Sequence, residues 1–242
     1  MPAGNGSLSF LVIGNSYAAN HGRLIVDDLK EHYGRMAIHT VSECEPLIDT
    51  KNYYCKDAHK LQQGFLDDID TFKPDVIFLS ARFIEPNVPI DGESVQDDVL
   101  YKSMMEKLRK YEEKVQKVFI LQAFPRTANL QNLENARIRA GKSVEDYMDE
   151  AIEADAFPMR KRVEEIAKHC EKCVVYDLMN LHMVNGTFMV TNPVTHLHYF
   201  EALRHHTPIG LKLVEPLYRK LSDNFYGLMK SKWPSNLLTW ID

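Results

Sequence analysis

SLSFLVIGNSYAA, residues 7–19, decides the fold. Its first half is a short apolar run rich in residues that favour strands, and it stops at Gly14. From Ala18 to Tyr33 the apolar positions Leu24, Ile25 and Leu29 recur at helical spacing. A strand, a tight turn and a helix therefore open the chain, with Asn15 and Ser16 at the turn. The same alternation continues downstream. Residues 36–41 (MAIHTV), 74–81 (PDVIFLSA), 118–124 (VFILQAF) and 173–178 (CVVYDL) read as four further strands. Helical patterns are expected near residues 61–72, 95–114, 143–169 (interrupted at Phe157-Pro158) and 208–225. Strands that each lead into a helical crossover predict an α/β, flavodoxin-like three-layer α/β/α sandwich around a five-stranded parallel sheet. No linker or internal repeat divides the chain, so residues 1–242 are expected to form a single domain.

Composition narrows the function. The 242 residues are 45% hydrophobic and 26% charged, as in ordinary globular proteins. With 29 Lys and Arg against 34 Asp and Glu and no dense basic stripe, nucleic acid is not an expected partner. No apolar run reaches the roughly 18 to 20 residues that cross a bilayer. Residues 1–9 lack the order of a signal peptide, so neither a membrane segment nor an export signal is expected. The four cysteines form two local pairs, Cys44 with Cys55 and Cys170 with Cys173. Two disulfides, which suit an oxidising compartment, are the preferred reading; a zinc site or four unpaired thiols are the alternatives. The spacing lacks the paired knuckles of a structural zinc module. A redox C-x-x-C is disfavoured because Cys170 ends a predicted helix instead of opening one.

In an open parallel sheet, ligands bind outside the carboxyl ends of the strands. The first such loop holds Ser16, placed to present its hydroxyl above the sheet and its backbone N–H with the helix N-terminus. A simple N-cap is the competing reading of that serine. At the other end of the chain, residues 204–210 (RHHTPIG) place His205 just before a helix expected to begin at Pro208. An imidazole there can lean across the sheet toward Ser16 and take its proton.

An early serine in the first strand-to-helix turn and a late histidine before the last helix resemble the SGNH, or GDSL-type, esterases and acyltransferases. Residues 11–18 (LVIGNSYA), 44–47 (CEPL) and 204–210 look most like the carboxyl-terminal SGNH domain of acyltransferase-3 family membrane acyltransferases, especially the nematode branch. The resemblance spans nearly the whole chain. It implies a nucleophile at Ser16 and a general base at His205, from the family's His-x-Thr-Pro. The oxyanion donors it leads to are the Ser16 N–H, a backbone N–H around Glu43 in the loop that a Cys44–Cys55 bridge would hold, and Arg82 after strand three. The implied activity is that of a serine-dependent O-acyl esterase or O-acyltransferase, working through a Ser-His dyad or triad and an acyl-enzyme. Its substrates would be an acyl donor and a carbohydrate or lipid hydroxyl. No metal or cofactor is expected. A membrane acyltransferase domain is the expected partner, in relatives or in a longer parent chain. The expected location is extracytoplasmic, lumenal or extracellular, if the chain is secreted or part of something longer.

Three positions depart from the family pattern. Asn15 replaces the usual Asp before the serine. Ser80-Ala81-Arg82 lacks the asparagine of the Gly-x-Asn block, and Ala202 stands where Asp-x-x-His has its acid. Loss of a triad acid costs about 10⁴ in turnover in a serine protease. Glu201, the adjacent residue, is the substitute expected to orient His205. Without a substitute, the chain would be a catalytically impaired SGNH-fold binding module. The pair His196 and His198 reads as loop histidines because no third ligand completes a metal set. Tyr53, Tyr54, Trp233 and Trp240 are candidates for a pocket lining or for ordinary packing.

Overall fold

In a computed structural model, residues 3–49, 55, 57–142, 150–231 and 237–239 are described. The elements in chain order are β1 (Leu8–Gly14), α1 (Ser16–Asp28), β2 (Tyr33–Thr40), α2 (Ala58–Phe72), β3 (Val76–Leu79), α3 (Val99–Glu112) and β4 (Lys117–Leu121). They continue with β5 (Arg126–Thr127), α4 (Leu130–Arg139), β6 (Ile152–Ala154), α5 (Phe157–His169), β7 (Cys173–Asp177), α6 (Met179–His182), β8 (Met183–Val184) and β9 (Thr187–Phe188). Last come α7 (Pro208–Asp223), α8 (Phe225–Lys230) and β10 (Leu237–Thr239).

The five expected strands form one parallel sheet in the order β2-β1-β3-β4-β7, and β10 adds a short sixth strand beside β7. The sixth strand was not expected, since three residues are too short to carry a pattern. The helix expected over 143–169 is also corrected. Helix α5 covers only its second half, α4 lies upstream of the expected span, and residues 143–149 are outside those described. Asn129 starts α4 by accepting from the Asn132 N–H at 3.1 Å.

Strand side chains alternate between the two faces, which explains why the runs are apolar throughout. Phe10, Val12, Phe78, Phe119 and Tyr176 point to one core, covered by α1, α7 and α8 through Ile25, Leu217 and Phe225. Leu11, Ile13, Ile77, Ile120 and Val175 point to the other, covered by α2, α3 and α5 through Phe65, Leu108 and Val163. The rings of Phe78 and Phe119 stack at 4.8 Å, and Phe10 meets Phe78 and Phe225 at 5.4 Å each. Each such buried ring contributes about 2–3 kcal/mol relative to exposure. The chain reverses its direction of growth between β1 and β3, and the loops after those strands diverge there into a crevice.

Both cysteine pairs are disulfides. Cys44–Cys55 closes the loop after β2, and Cys170–Cys173 joins the C-cap of α5 to the start of β7.

Candidate active site

The turn after β1 is set by close backbone packing. A Cβ on Gly14 would stand 2.2 Å from the Ser80 carbonyl oxygen, so only glycine lets the ends of β1 and β3 approach this far. That approach brings Asn15 to Arg82. The Asn15 amide donates to the Arg82 carbonyl at 2.6 Å, while its Oδ1 accepts from the backbone N–H of Arg82 at 3.2 Å and of Tyr17 at 3.1 Å. Asn15 is therefore the N-cap of α1, and the N-cap reading of Ser16 is corrected. An Asp at 15 could accept these bonds but could not donate to the Arg82 carbonyl. The departure at Asn15 thus ties two strand-end loops together.

Ser16, in the first turn of α1, keeps its hydroxyl for another partner. His205 Nε2 lies 2.7 Å from Ser16 Oγ, and His205 Nδ1 lies 2.7 Å from Glu201 Oε1. The order is that of a triad: a hydroxyl, an imidazole, and a carboxylate on the far ring nitrogen. Glu201 reaches His205 because the intervening turn is tight. The Glu201 N–H donates to the His205 carbonyl at 2.9 Å, and the Arg204 N–H donates to the Glu201 carbonyl at 2.7 Å. The longer side chain of a glutamate, one residue further back than the usual Asp, covers the distance that Ala202 leaves open.

The turn requires a left-handed backbone at Arg204, φ 69°, which a non-glycine residue adopts at a cost of about 1 kcal/mol or more. Four contacts of Arg204 offset it. Its carbonyl accepts from the Tyr17 hydroxyl at 2.7 Å, its Nε donates to the Thr127 carbonyl at 2.7 Å, and its Nη2 donates to both oxygens of Glu153 at 2.9 Å. The Tyr17 ring lies 5.8 Å from the His205 ring.

The chain as a whole matches a known family. The profile described as "SGNH domain (fused to AT3 domains)" matches residues 2–220. The chain belongs to this family. Among curated proteins none matches it. The SGNH domain is similar in fold to the lipopolysaccharide acetyltransferase periplasmic domain of Salmonella ser. Paratyphi A. The TM-score is 0.61 and the identity 15%, covering 93% of this chain and 86% of that one. A putative acylhydrolase of Bacteroides fragilis gives a TM-score of 0.50 at 13% identity, covering 93% and 91%. At these identities the likenesses concern the fold. Membership places the SGNH domain among domains of esterase or acyltransferase type, in the context of membrane acyltransferases. Among the described residues, no helix is long and apolar enough to cross a membrane.

The remaining site candidates divide. Glu43 lies in the turn after β2 and has a left-handed backbone, φ 57°. The N–H of its neighbour Cys44 is spent on the Val41 carbonyl at 3.1 Å. Glu45, buried in the same loop, accepts from the Ile84 N–H at 3.2 Å and so joins the loops after β2 and β3. Arg82 packs its guanidinium 5.6 Å over the Tyr17 ring. Its Nη1 is out of water and has no hydrogen-bond partner among the described residues. Burial lowers the Arg82 pKa, and the charges of Arg204 and Arg126 add to the effect; a guanidinium nonetheless stays protonated. The Glu45 charge opposes this shift, so an acid also acts on the part-buried guanidinium.

His198 is engaged by Glu134 at 2.7 Å and His196 sits in a left-handed turn, φ 56°. Tyr53, Tyr54, Trp233 and Trp240 lie outside the described residues. Sequence reasoning did not find roles for Tyr17, Asn20, His21 and His182 around His205 and His206. The spacing of Ser16 and Asn20, one helical turn apart, was the available signal for the second of these.

Proposed function

We propose that residues 1–242 form a single SGNH domain acting as a serine-dependent O-acyl esterase or O-acyltransferase on a glycan or lipid hydroxyl ester. Ser16 is the nucleophile, His205 the general base and then acid, and Glu201 the carboxylate that holds the His205 tautomer. The observation that carries this reading is the unbroken chain from Ser16 Oγ through His205 to Glu201, with both contacts at 2.7 Å.

In the first half-reaction, Ser16 Oγ attacks the ester carbonyl as its proton passes to His205 Nε2. The tetrahedral oxyanion is met by the Ser16 N–H at the start of α1, by a backbone N–H at Glu43 and by the guanidinium of Arg82, whose Nη1 has no hydrogen-bond partner among the described residues. The ester C–O bond then breaks, the leaving oxygen takes the proton from His205, and the acyl group stays on Ser16. Water or an acceptor hydroxyl repeats the steps in reverse, giving hydrolysis or transfer. No metal or cofactor takes part in these steps. An acyl donor presented by a membrane acyltransferase domain, and an extracytoplasmic location, agree with the family match and with the two disulfides.

The test is turnover of 4-nitrophenyl acetate by the purified chain. Hydrolysis above a Ser16→Ala control supports the reading, and equal rates refute it in favour of a binding module.

A further inference from the structure

His206, next to the proposed base, is buried and surrounded by two other histidines. Its Nδ1 lies 2.8 Å from His21 Nε2, and its Nε2 lies 3.0 Å from His182 Nε2. The row ends at 2.7 Å between His21 Nδ1 and the Tyr218 hydroxyl, and at 3.1 Å between His182 Nδ1 and the Met189 carbonyl.

Protons can be assigned along this row in one way. A carbonyl only accepts, so His182 Nδ1 carries a hydrogen and, in the neutral ring, its Nε2 is bare. His206 Nε2–H must then donate to it, which leaves His206 Nδ1 to accept from His21 Nε2–H. His21 Nδ1 in turn accepts from the Tyr218 hydroxyl. Every ring nitrogen is satisfied with no net charge. Burial supports the neutral forms, pushing His21 down to about 3, His182 down to about 4 and His206 well below its ordinary value. The other titratable groups facing the row are Tyr17 on α1, Tyr176 on β7, Tyr199 and His205. Burial keeps the hydroxyls of Tyr17, Tyr176 and Tyr218 protonated. Two carboxylates act on the tyrosines beside the row, Asp28 on Tyr218 and Glu201 on Tyr17.

The row is fastened to the helix that carries the nucleophile. Asn20, one turn after Ser16, grips the His206 backbone on both sides: its Oδ1 accepts from the His206 N–H and its amide donates to the His206 carbonyl, each at 3.0 Å. His21 follows on the same helix. We propose that Asn20 and the row His21-His206-His182 are positioning residues that fix the His205 ring against Ser16, through one helix on one side and α6 and α7 on the other. The inference rests on the reading of Ser16, His205 and Glu201 as the catalytic chain.

Nitrogen-15 NMR of the imidazoles in the whole chain tests it, together with His206→Phe and Asn20→Ala. The expected spectrum shows His182 protonated on Nδ1 and both His206 and His21 on Nε2, none of them titrating between about pH 5 and 8. Each variant is expected to lower kcat by roughly 10- to 100-fold with KM unchanged. Each should also lose the low-field proton signal of the His205–Glu201 bond while near-UV circular dichroism is kept. Titration of His206 or His21 near an ordinary value of about 6.5 overturns the row. Survival of kcat within about twofold and of the low-field signal in both variants overturns the positioning role. If the wild-type chain turns over no ester, the proposed function fails, while the tautomers and the low-field proton still decide this proposal.

Discussion

Among the described residues, a polar cluster is buried beneath each face of the sheet, and the two are built on opposite electrostatic plans. Under α3 and α5, Arg162 and Asp98 form an ion pair with both side chains fully buried. Asp98 accepts from Arg162 at 2.8 and 2.5 Å and from the N–H groups of Tyr101 and Asp91, while Arg162 also donates to the carbonyls of Val88 and Pro89. All four carboxylate lone pairs and four of the five guanidinium N–H donors are matched, so the charges can stay buried; burial pushes the Asp98 pKa up, but the bonds from Arg162 and the backbone outweigh it and hold Asp98 below the usual carboxylate range. Under α1 and α7, by contrast, the histidine row carries no charge and touches the loop that bears His205. The first cluster anchors a loop to a helix; the second borders the proposed catalytic chain. Buried polarity alone is therefore a poor guide to function, and what a cluster is connected to decides its role.

This contrast predicts that changes on the α1 side act on turnover and changes on the α3 side act on stability. The largest effect is expected from Ser16→Ala, a loss of roughly 10⁴-fold or more in ester turnover with no change in Tm. Asp98→Ala, which strands the Arg162 charge, should cost about 3–5 kcal/mol in urea unfolding. The turnover of its folded fraction should stay unaltered. A loss under about 1 kcal/mol would show that the ion pair does not anchor its loop. Glu201→Gln is expected to reduce kcat by at least about 10²-fold, short of the roughly 10⁴-fold cost at a buried triad acid because water reaches the Glu201 side chain, since the amide can hold the wrong tautomer of His205. Its stability should hardly change, since the Glu201 side chain is 40% exposed. Wild-type kcat in this variant would remove Glu201 from the mechanism.

The smallest effect distinguishes the two clusters by pH. His21, His182 and His206 have native pKa values depressed below the unfolded value of about 6.5. Between these values the unfolded chain binds more protons. The stability from neutral burial is complete above about pH 6.5 and is lost as pH falls through the native values. Its slope is at most about 1.4 kcal/mol per pH unit for each histidine. The Asp98 pair, also depressed, loses its contribution only at still lower pH, through the native value of a carboxylate. Urea midpoints between about pH 4 and 7 should therefore flatten in His206→Phe and keep the wild-type slope in a variant of Asp98.

The two cores were unequally legible in the sequence. Continuous apolar strands such as residues 118–121 announced the parallel sheet, because burial on both faces removes any alternation. Ser16 and His205 were legible as well, since each sits at a strand or helix boundary whose position the pattern reveals. Glu201 could be seen only as a neighbour of Ala202. Its reach depends on the left-handed turn at Arg204, which nothing in an arginine announces. The histidine row was hidden because its members come from α1, α6 and the loop before α7, as far as 185 residues apart in sequence. Such a cluster exists only after the helices have packed.

The central claim is that Ser16 is an activated nucleophile, and stoichiometric labelling with a fluorophosphonate tests it most directly. Mass spectrometry of the intact chain and of its peptides should show one adduct, on Ser16, absent in Ser16→Ala and formed far more slowly in His205→Ala. An unlabelled Ser16, or labelling that proceeds equally fast without His205, would contradict the account.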